Sequence, residues 1–511
     1  MSDDVHAARS SLTRKTMIGA AWLLLWRFVA RSLGFVSTLV LARVLVPADF
    51  GLVAMATTFS YAVEALSQLG LQDALVRRRE EGMDLHDTAF TLQLGRAAVT
   101  ALVVAAGAPV AAWWFAEPRL QPVVLVLAGV TLLNGLENVG MAEYRRAMRF
   151  DVQFRLNVLT RLAGFFVTIA SALIWQSYWA LLAGIVIAAA ARVGMTYSMH
   201  PFRPRLRLTR WRELAHFSLW TWATAVVSLI WERCDPFVIG PKLGSARMGL
   251  YLLAADVGTL PITEVVVPAS DALFTSFANL QKTGASSIRY APEVAGIVLM
   301  AVAPLILGMS ASAGPLVEVL LGPKWAEAWP VVSVITWASV FAPYSFICSM
   351  ALVANNHLRR NFTANVIVSA FKLAATMTLI SLTTDLVVIG ATAAGCVAVE
   401  ALVFLTVLRG TGEIKLRPAV GGLTRIVVAL VVAAAVIGWL DIGWQAGTGS
   451  LASNLTRGCL VGTVAVGMFW ATLLALWQAA GRPKGQEARL FQLIGPQVAK
   501  LRASRWMGSA G

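Results

Sequence analysis

About fourteen runs of roughly 20 apolar residues, separated by short polar connections, leave this chain few ways to fold. Each run is long enough to cross the hydrocarbon layer as a helix, and a backbone without water must satisfy its hydrogen bonds internally, which a helix does within one segment. The runs fall near 17–42, 50–69, 87–112, 120–141, 156–175, 178–199, 215–240, 247–270, 291–310, 328–353, 362–381, 386–408, 421–441 and 456–479. With 58% hydrophobic residues, 14% charged and a mean hydropathy of +0.70, the chain is too apolar to surround one water-soluble core. The expected fold class is an all-α polytopic membrane protein.

The net charge of +15 raises the question of nucleic acid, and the positions of the cations answer it. Lys and Arg concentrate in alternate connections, around Arg77–Arg79, Arg145–Arg155, Arg203–Arg212, Lys282–Arg289, Arg359–Arg360, Arg409–Arg417 and Arg482–Arg505. Such alternation is a topological signal, so both termini are expected in the cytoplasm and no nucleic-acid partner is. No cleavable signal is read at the amino terminus, because the first apolar run is long and lacks a small-residue cleavage site. Cys234, Cys348, Cys396 and Cys459 show no CxxC spacing, and His6, His86, His200, His216 and His357 form no ligand pair, so neither a disulfide framework nor a metal site is indicated.

The chain carries an internal duplication. Gly51-Leu52 recurs as Gly249-Leu250 and Asp73-Ala74-Leu75 as Asp271-Ala272-Leu273, both at an offset of 198 residues. From Leu45 to Leu75 that offset gives eight identities, where this composition gives roughly three by chance. If spans one to six match seven to twelve, each half makes an even number of crossings and the halves share one orientation. The chain then divides into a cytoplasmic amino-terminal segment 1–16, a six-helix bundle 17–200, a basic cytoplasmic linker 201–214, a second six-helix bundle 215–410, two added helices within 411–480, and a basic cytoplasmic tail 481–511. Leu490, Phe491, Leu493 and Ile494 beside Arg489 and Lys500 suit the inner leaflet, with a frayed tail as the other reading. Kinks are expected at Gly258, Pro261 and Pro268, and at Gly107 and Pro109.

A duplicated polytopic chain is built like a transporter, and its embedded charges suggest the cargo. Arg27 and Arg31 lie four apart in the first run and share one helix face. A central arginine costs about 3 kcal/mol or more against lipid, so this face should line a cavity or an ion pair. Guanidinium groups grip phosphate through parallel N–H donors, which suits a diphosphate-bearing substrate. Arg161 in span five and Lys372 in span eleven occupy equivalent helices, and either contacts substrate or pairs with a local carboxylate. Arg96 and Arg192 lie near polar ends and are expected to snorkel. Of the embedded acids Glu64, Glu137, Glu232, Asp235, Asp256, Glu264 and Glu400, the coupling or counter-ion candidates are Glu64, Asp256 and Glu264. Glu64 comes first, since a hairpin would set it beside Arg27 and Arg31. The coupling ion, H+ or Na+, stays open, and no other cofactor is expected.

Several motifs read structurally. Asp49 is expected as the N-cap of span two. Trp113, Trp114, Trp175, Trp179, Trp325 and Trp329 suit an interfacial belt, whereas Trp22, Trp26, Trp222 and Trp231 lie deeper, where they pack or stack on sugar. The chain contains no GxxxxGK[ST] loop, HExxH motif or nucleophile elbow, so no enzymatic activity is expected.

Leu45-Val46-Pro47-Ala48-Asp49-Phe50-Gly51-Leu52, then Leu69-Gly70-Leu71 with Ala74-Leu75-Val76, resembles the amino-terminal signature of bacterial polysaccharide exporters of the Wzx/PST type. Arg145-Arg146-Ala147-Met148-Arg149-Phe150, Asp235 with Val238-Ile239-Gly240, Leu243-Gly244 with Gly249-Leu250-Tyr251, and Gly322-Pro323-Lys324-Trp325 extend the resemblance over most of residues 15–410. Pro236 after Asp235 and the stretch Leu273–Phe277 depart from it. The resemblance implies the MATE–MurJ superfamily, with two six-helix bundles around a central cleft. It also implies a flippase moving undecaprenyl-diphosphate-linked oligosaccharide across the bacterial cytoplasmic membrane, among membrane lipids and with a polysaccharide polymerase or chain-length complex as possible partner. A MATE-like cation or drug antiporter, a membrane polysaccharide polymerase or glycosyltransferase, and a non-transporting scaffold are the competing readings.

Overall fold

The computed structural model describes residues 22, 25–27, 29–67, 83–147, 149–209, 219–282, 286–414, 416–483 and 486–490. Segment 1–16, the Arg77–Arg79 connection, Met148, residues 210–214 of the basic linker and the tail beyond 490 lie outside the described residues. Every regular element among the described residues is helical.

Two compact units divide the chain, Met1–Gly249 and Leu250–Gly511. The boundary falls inside the second copy of the repeat, since it follows packing rather than the 201–214 linker. The first unit contains α1 (Leu25–Val44), α2 (Pro47–Leu66), α3 (Met83–Trp114), α4 (Leu120–Gly135), the short α5 (Met141–Arg146), α6 (Phe150–Trp175) and α7 (Trp179–Met199). It ends within α8 (Leu219–Gly258), a 40-residue run. At 1.5 Å per residue such a run would measure about 60 Å, twice a bilayer core. It is broken, however, at Gly244, whose φ of 70° and ψ of 170° are not helical.

That break is where the duplication shows in the backbone. At the offset of 198, Gly244 corresponds to Val46, the residue with φ −102° and ψ 158° that precedes α2. Both copies therefore turn from a non-helical residue into a helix at the same place, Val46 being extended and Gly244 having a positive φ. The copies also meet. A Cβ on Gly51 would lie 1.8 Å from the Ser245 carbonyl oxygen, and one on Gly249 would lie 1.9 Å from the Pro47 carbonyl oxygen. Ser245 is Pro47 displaced by 198, and Gly249 is Gly51 displaced by 198. The contact is thus reciprocal, as at a two-fold interface, and only glycine lets the two backbones come this close.

Asp49 is not the N-cap of α2. Pro47 occupies the first helical turn, where its missing N–H costs nothing. This makes Val46 the cap, and Asp49 accepts from the Val46 N–H at 3.3 Å.

The second unit continues through a π-helical turn (Ile262–Val266) and α9 (Val267–Lys282), then α10 (Ala291–Ala311), α11 (Ala313–Leu320), a 3-10 segment (Pro323–Ala328), α12 (Trp329–Ala338), α13 (Ala342–Ala354), α14 (Leu358–Leu382), α15 (Leu386–Arg409), α16 (Leu416–Trp439) and α17 (Leu451–Ala479). The break after Gly258 bends the chain by 41°, at the Gly258–Pro261 kink expected from sequence, whereas α3 stays one helix through Pro109. A second 41° break separates α12 from α13. The core gathers around α10, where Leu299, Ala303 and Ile306 pack with Ile347 and Leu352 of α13, Phe404 of α15, Ile426 and Ala433 of α16, and Phe469 of α17. The two added helices share this core instead of standing apart.

By length and apolarity nine helices among the described residues can cross a membrane, or up to eleven with each bent pair as one span. This makes the chain a multi-pass membrane protein. Fourteen expected runs exceed that count because α4 has only 16 residues, α2 carries Asp49 and Glu64, and α8 contains its own break.

Two sequence expectations need correction. Trp325 is fully buried, because Gly322 at φ 95° turns the chain into the 3-10 segment that folds Trp325 inward. Trp113, Trp114, Trp175 and Trp179 are exposed at helix ends, where a belt would place them. The described start of the tail packs against the second unit, and the rest of the segment expected on the inner leaflet lies outside the described residues. Gln486 and Glu487 are buried, Glu487 meets Arg425 at 2.6 Å, Arg489 meets Glu293 at 2.9 Å, and Leu490 packs on the second-unit core.

Candidate functional site

Arg27, Arg31 and Gly34 stand at i, i+4 and i+7 on α1, so they share one face. Arg161 of α6 reaches that face. A Cβ on Gly34 would come within 3.2 Å of the Arg161 Nη2, the nearest atom of any neighbour. Nearer the amino-terminal end of the same pair of helices, the Trp22 ring packs on Phe154 with centroids 4.8 Å apart. Arg27 and Arg31 lie between these two contacts along α1. All three arginine side chains are exposed. Arg27 and Arg31 already take part in polar or electrostatic contacts within the protein, whereas Arg161 makes no hydrogen bond or ion pair among the described residues. Three arginines thus lie on two adjoining helices, and an exposed guanidinium such as that of Arg161 is less costly in a membrane where water or an anion meets it.

Glu64 is drawn elsewhere. Its carboxylate accepts a short hydrogen bond from Thr131 of α4, a partner 67 residues away. The α2 end is further tied down by Trp222 Nε1 donating to the Leu66 carbonyl at 3.1 Å and by Arg96 donating to Ser67 Oγ at 3.2 Å. Arg192 does not snorkel either. It pairs with Glu137 through a short contact and donates to Asn157 Oδ1 at 3.1 Å, so its charge is offset inside the first unit. Asp256 and Glu264 are exposed, and Glu264 accepts from the adjacent Thr263 hydroxyl at 3.3 Å.

Lys372 differs from the arginines. It is 8% exposed on α14, with the Glu400 carboxylate of α15 as its electrostatic partner and Ser345 of α13 beside that carboxylate. Of the two sequence readings of Lys372, this environment matches local pairing.

The sequence reading missed one cluster altogether. His86 Nε2 and His200 Nε2 lie 3.3 and 3.2 Å from the two oxygens of Glu143, and both imidazoles are buried. His200 Nδ1 accepts the Phe202 N–H at 3.1 Å, so Nε2 carries the proton and donates to Glu143. Together with Asp87 accepting the Arg205 N–H at 2.8 Å, this docks the first part of the basic linker against α3 and α5. At the other end of α3, Glu117 bridges Arg119 at 2.8 Å and Ser245 at 3.1 Å, and the Arg119 guanidinium holds the Glu117 carboxyl below its ordinary range.

Comparison with known proteins agrees with this architecture. A family described as "Polysaccharide biosynthesis protein" matches residues 40–330, more than half of the chain. The chain is similar to the succinoglycan biosynthesis transport protein ExoT of Rhizobium meliloti, 26% identical over 63% of this chain and 67% of that protein. It is also similar to the lipopolysaccharide biosynthesis protein WzxC of Escherichia coli, 24% identical over 70% of this chain and 73% of that one. Among solved structures it shares the fold of a lipid II flippase MurJ in an inward closed conformation, at a TM-score of 0.70 and 12% identity over 88% of this chain and 99% of that one. An inward-facing multidrug resistance MATE transporter of the MOP superfamily follows at a TM-score of 0.56 and 14% identity over 74% and 93%. The chain belongs to the polysaccharide biosynthesis protein family.

Proposed function

We propose that this protein is a flippase for lipid-linked oligosaccharide in polysaccharide biosynthesis. The transport and lipopolysaccharide biosynthesis roles that the relatives' names carry, and the lipid II flippase that shares the fold, support this class. The finer reading is that undecaprenyl-diphosphate-linked repeat units move across the bacterial cytoplasmic membrane by alternating access, with both termini of the chain in the cytoplasm. The observation that carries it is the placement of Arg27, Arg31 and Arg161 on two adjoining helices. The Arg161 guanidinium, without an ion pair among the described residues, offers paired N–H donors to a diphosphate beside the α1 face that carries Arg27 and Arg31, while the isoprenoid tail stays in lipid.

Lys372, buried with Glu400 nearby, is given a positioning role instead of headgroup contact. Coupling to H+ or Na+ is proposed for an embedded acid, Glu64, Asp256 or Glu264, and association with a polymerase complex remains part of the same reading. An acidic cargo favours such arginines, and a drug cation does not, which sets the antiporter reading second.

The test is transbilayer movement of undecaprenyl-diphosphate oligosaccharide in proteoliposomes, wild type against Arg27→Ala/Arg31→Ala, with folding checked by size exclusion. Loss of movement in a folded variant supports the role of these arginines. Absence of movement by the wild type with matched native substrate, together with efflux of organic cations, sinks the flippase reading.

A further inference from the structure

A second cationic feature of the first unit is a pocket. It opens among the short α5, the beginning of α6 and the end of α7, and its polar lining includes Glu137, Asn138, Tyr144, Arg145, Gln153 and Arg192. Most of these groups are engaged in building the walls. Glu137 and Arg192 pair with each other. Asn138 donates to the Phe202 carbonyl at 2.8 Å and accepts the Gly140 N–H at 2.9 Å, and the Tyr144 hydroxyl donates to the Met199 carbonyl at 2.9 Å. Two groups are left over. Arg145 and Gln153 are half-buried and line the pocket, yet neither makes a hydrogen bond or ion pair among the described residues.

A half-buried guanidinium with five unused N–H donors is costly unless an acceptor meets it. Since Glu137 is answered by Arg192, the lining keeps one positive charge in excess. The acceptor that suits it is an oxyanion able to take two parallel N–H bonds, and phosphate does this well. Depth identifies the source of the phosphate. Gln153 lies in the first turn of α6, which begins at Phe150, and Arg192 lies two turns from the end of α7 at Met199. Both helices are long and apolar enough to span, so the pocket sits where span ends meet headgroups. Arg149 and Arg155, which share Asp151 at 3.3 and 3.0 Å, and Arg146 add positive potential around its rim.

We propose that this pocket binds the phosphate of an anionic membrane lipid, with Arg145 gripping the phosphate oxygens and Gln153 hydrogen-bonding a headgroup hydroxyl. None of Arg27, Arg31 and Arg161 lines this pocket, and it holds resident lipid instead of cargo.

The experiment measures the thermal midpoint of the full purified chain in neutral detergent, titrated with phosphatidylglycerol, with phosphatidylcholine and with inorganic phosphate. Phosphatidylglycerol should raise the wild-type midpoint saturably and phosphatidylcholine should not. Arg145→Gln should weaken the half-saturating concentration by about tenfold, Gln153→Leu by less, and the rim control Arg155→Gln hardly at all. Arg145→Lys, which keeps the charge and loses the fork, should fall between wild type and Arg145→Gln, and it serves if Arg145→Gln does not fold. Equal weakening by Arg155→Gln would mean diffuse attraction to a basic surface and would overturn the site, as would an unchanged Arg145→Gln. Inorganic phosphate matching phosphatidylglycerol at equal concentration would overturn the lipid assignment. No arm reads transport, so failure here leaves the flippase reading untouched.

Discussion

Arg161 on α6 and Lys372 on α14, expected from the sequence to lie on equivalent helices, have opposite surroundings. Arg161 is exposed, reaches over Gly34 of α1 and has no ion-pair partner among the described residues. Lys372 is buried and faces Glu400. The backbone tells the other half of the story, because Gly51 and Gly249 still make the same contact in each direction. On the duplication reading, the packing has been kept while the charges differ, one cation exposed and the other buried near a carboxylate. A cation that is locally neutralised contributes to stability, and one that is not is available to a ligand.

The largest expected effect tests the buried side. Lys372→Ala removes a buried cation whose field acts on Glu400, which should cost an amount at the top of the about 0.5–3 kcal/mol range usual for a single substitution. Its thermal midpoint should drop steeply. Lys372→Met with Glu400→Gln removes both charges while keeping volume, and it should recover most of the loss. If the single variant melts like wild type, Lys372 is not held by Glu400 and the contrast with Arg161 collapses.

Next comes the shared packing. Gly51→Ala and Gly249→Ala each drive a methyl group into a main-chain carbonyl that cannot swing aside, so each should cost at least the upper part of the about 1–3 kcal/mol typical of overpacking. The two should match, since the contact is reciprocal. Gly34→Ala is the control, because its Cβ would meet only the far end of the Arg161 side chain. Yield and thermal midpoint of the three variants check this, and a large difference between Gly51→Ala and Gly249→Ala would break the two-fold reading.

Much of this could be read from the residues alone. The apolar runs are long, and their length in a bilayer leaves little choice but a helix, so their positions transfer well to the structure. The i, i+4 spacing of Arg27 and Arg31 also carries over, because helix geometry is local. Partners distant in sequence were not legible. Nothing near Arg192 announces Glu137, 55 residues earlier, or near His86 announces Glu143 and His200. These pairs depend on which helices become neighbours. Trp325 illustrates the same limit at short range, since a glycine with positive φ decides whether a tryptophan beside a span faces the interface or the core.

On the exposed side, Arg161→Ala should reduce flipping by about tenfold, roughly 1.4 kcal/mol, while leaving the stability within about 0.5 kcal/mol of wild type. Transport in proteoliposomes and a melting curve on the same preparation read the two quantities. A variant that loses stability in step with transport would show that Arg161 is structural, like Lys372, and the divergence between the copies would vanish.

The smallest effect concerns Glu117, which bridges Arg119 and Ser245 next to the crossing of the copies. The Arg119 hydrogen bond lowers the Glu117 pKa in the folded protein. The unfolded chain therefore binds the proton first as pH falls, so the bridge contributes fully above the ordinary glutamate range near about 4.3 and is lost as pH drops through the lower folded value. Melting curves between neutral and acid pH should show Glu117→Gln slightly less stable than wild type at pH 7 and the gap closing toward pH 3. A gap that persists at low pH would mean that the carboxylate charge is not what joins the α3–α4 turn to Ser245, leaving the reciprocal glycines to hold that crossing alone.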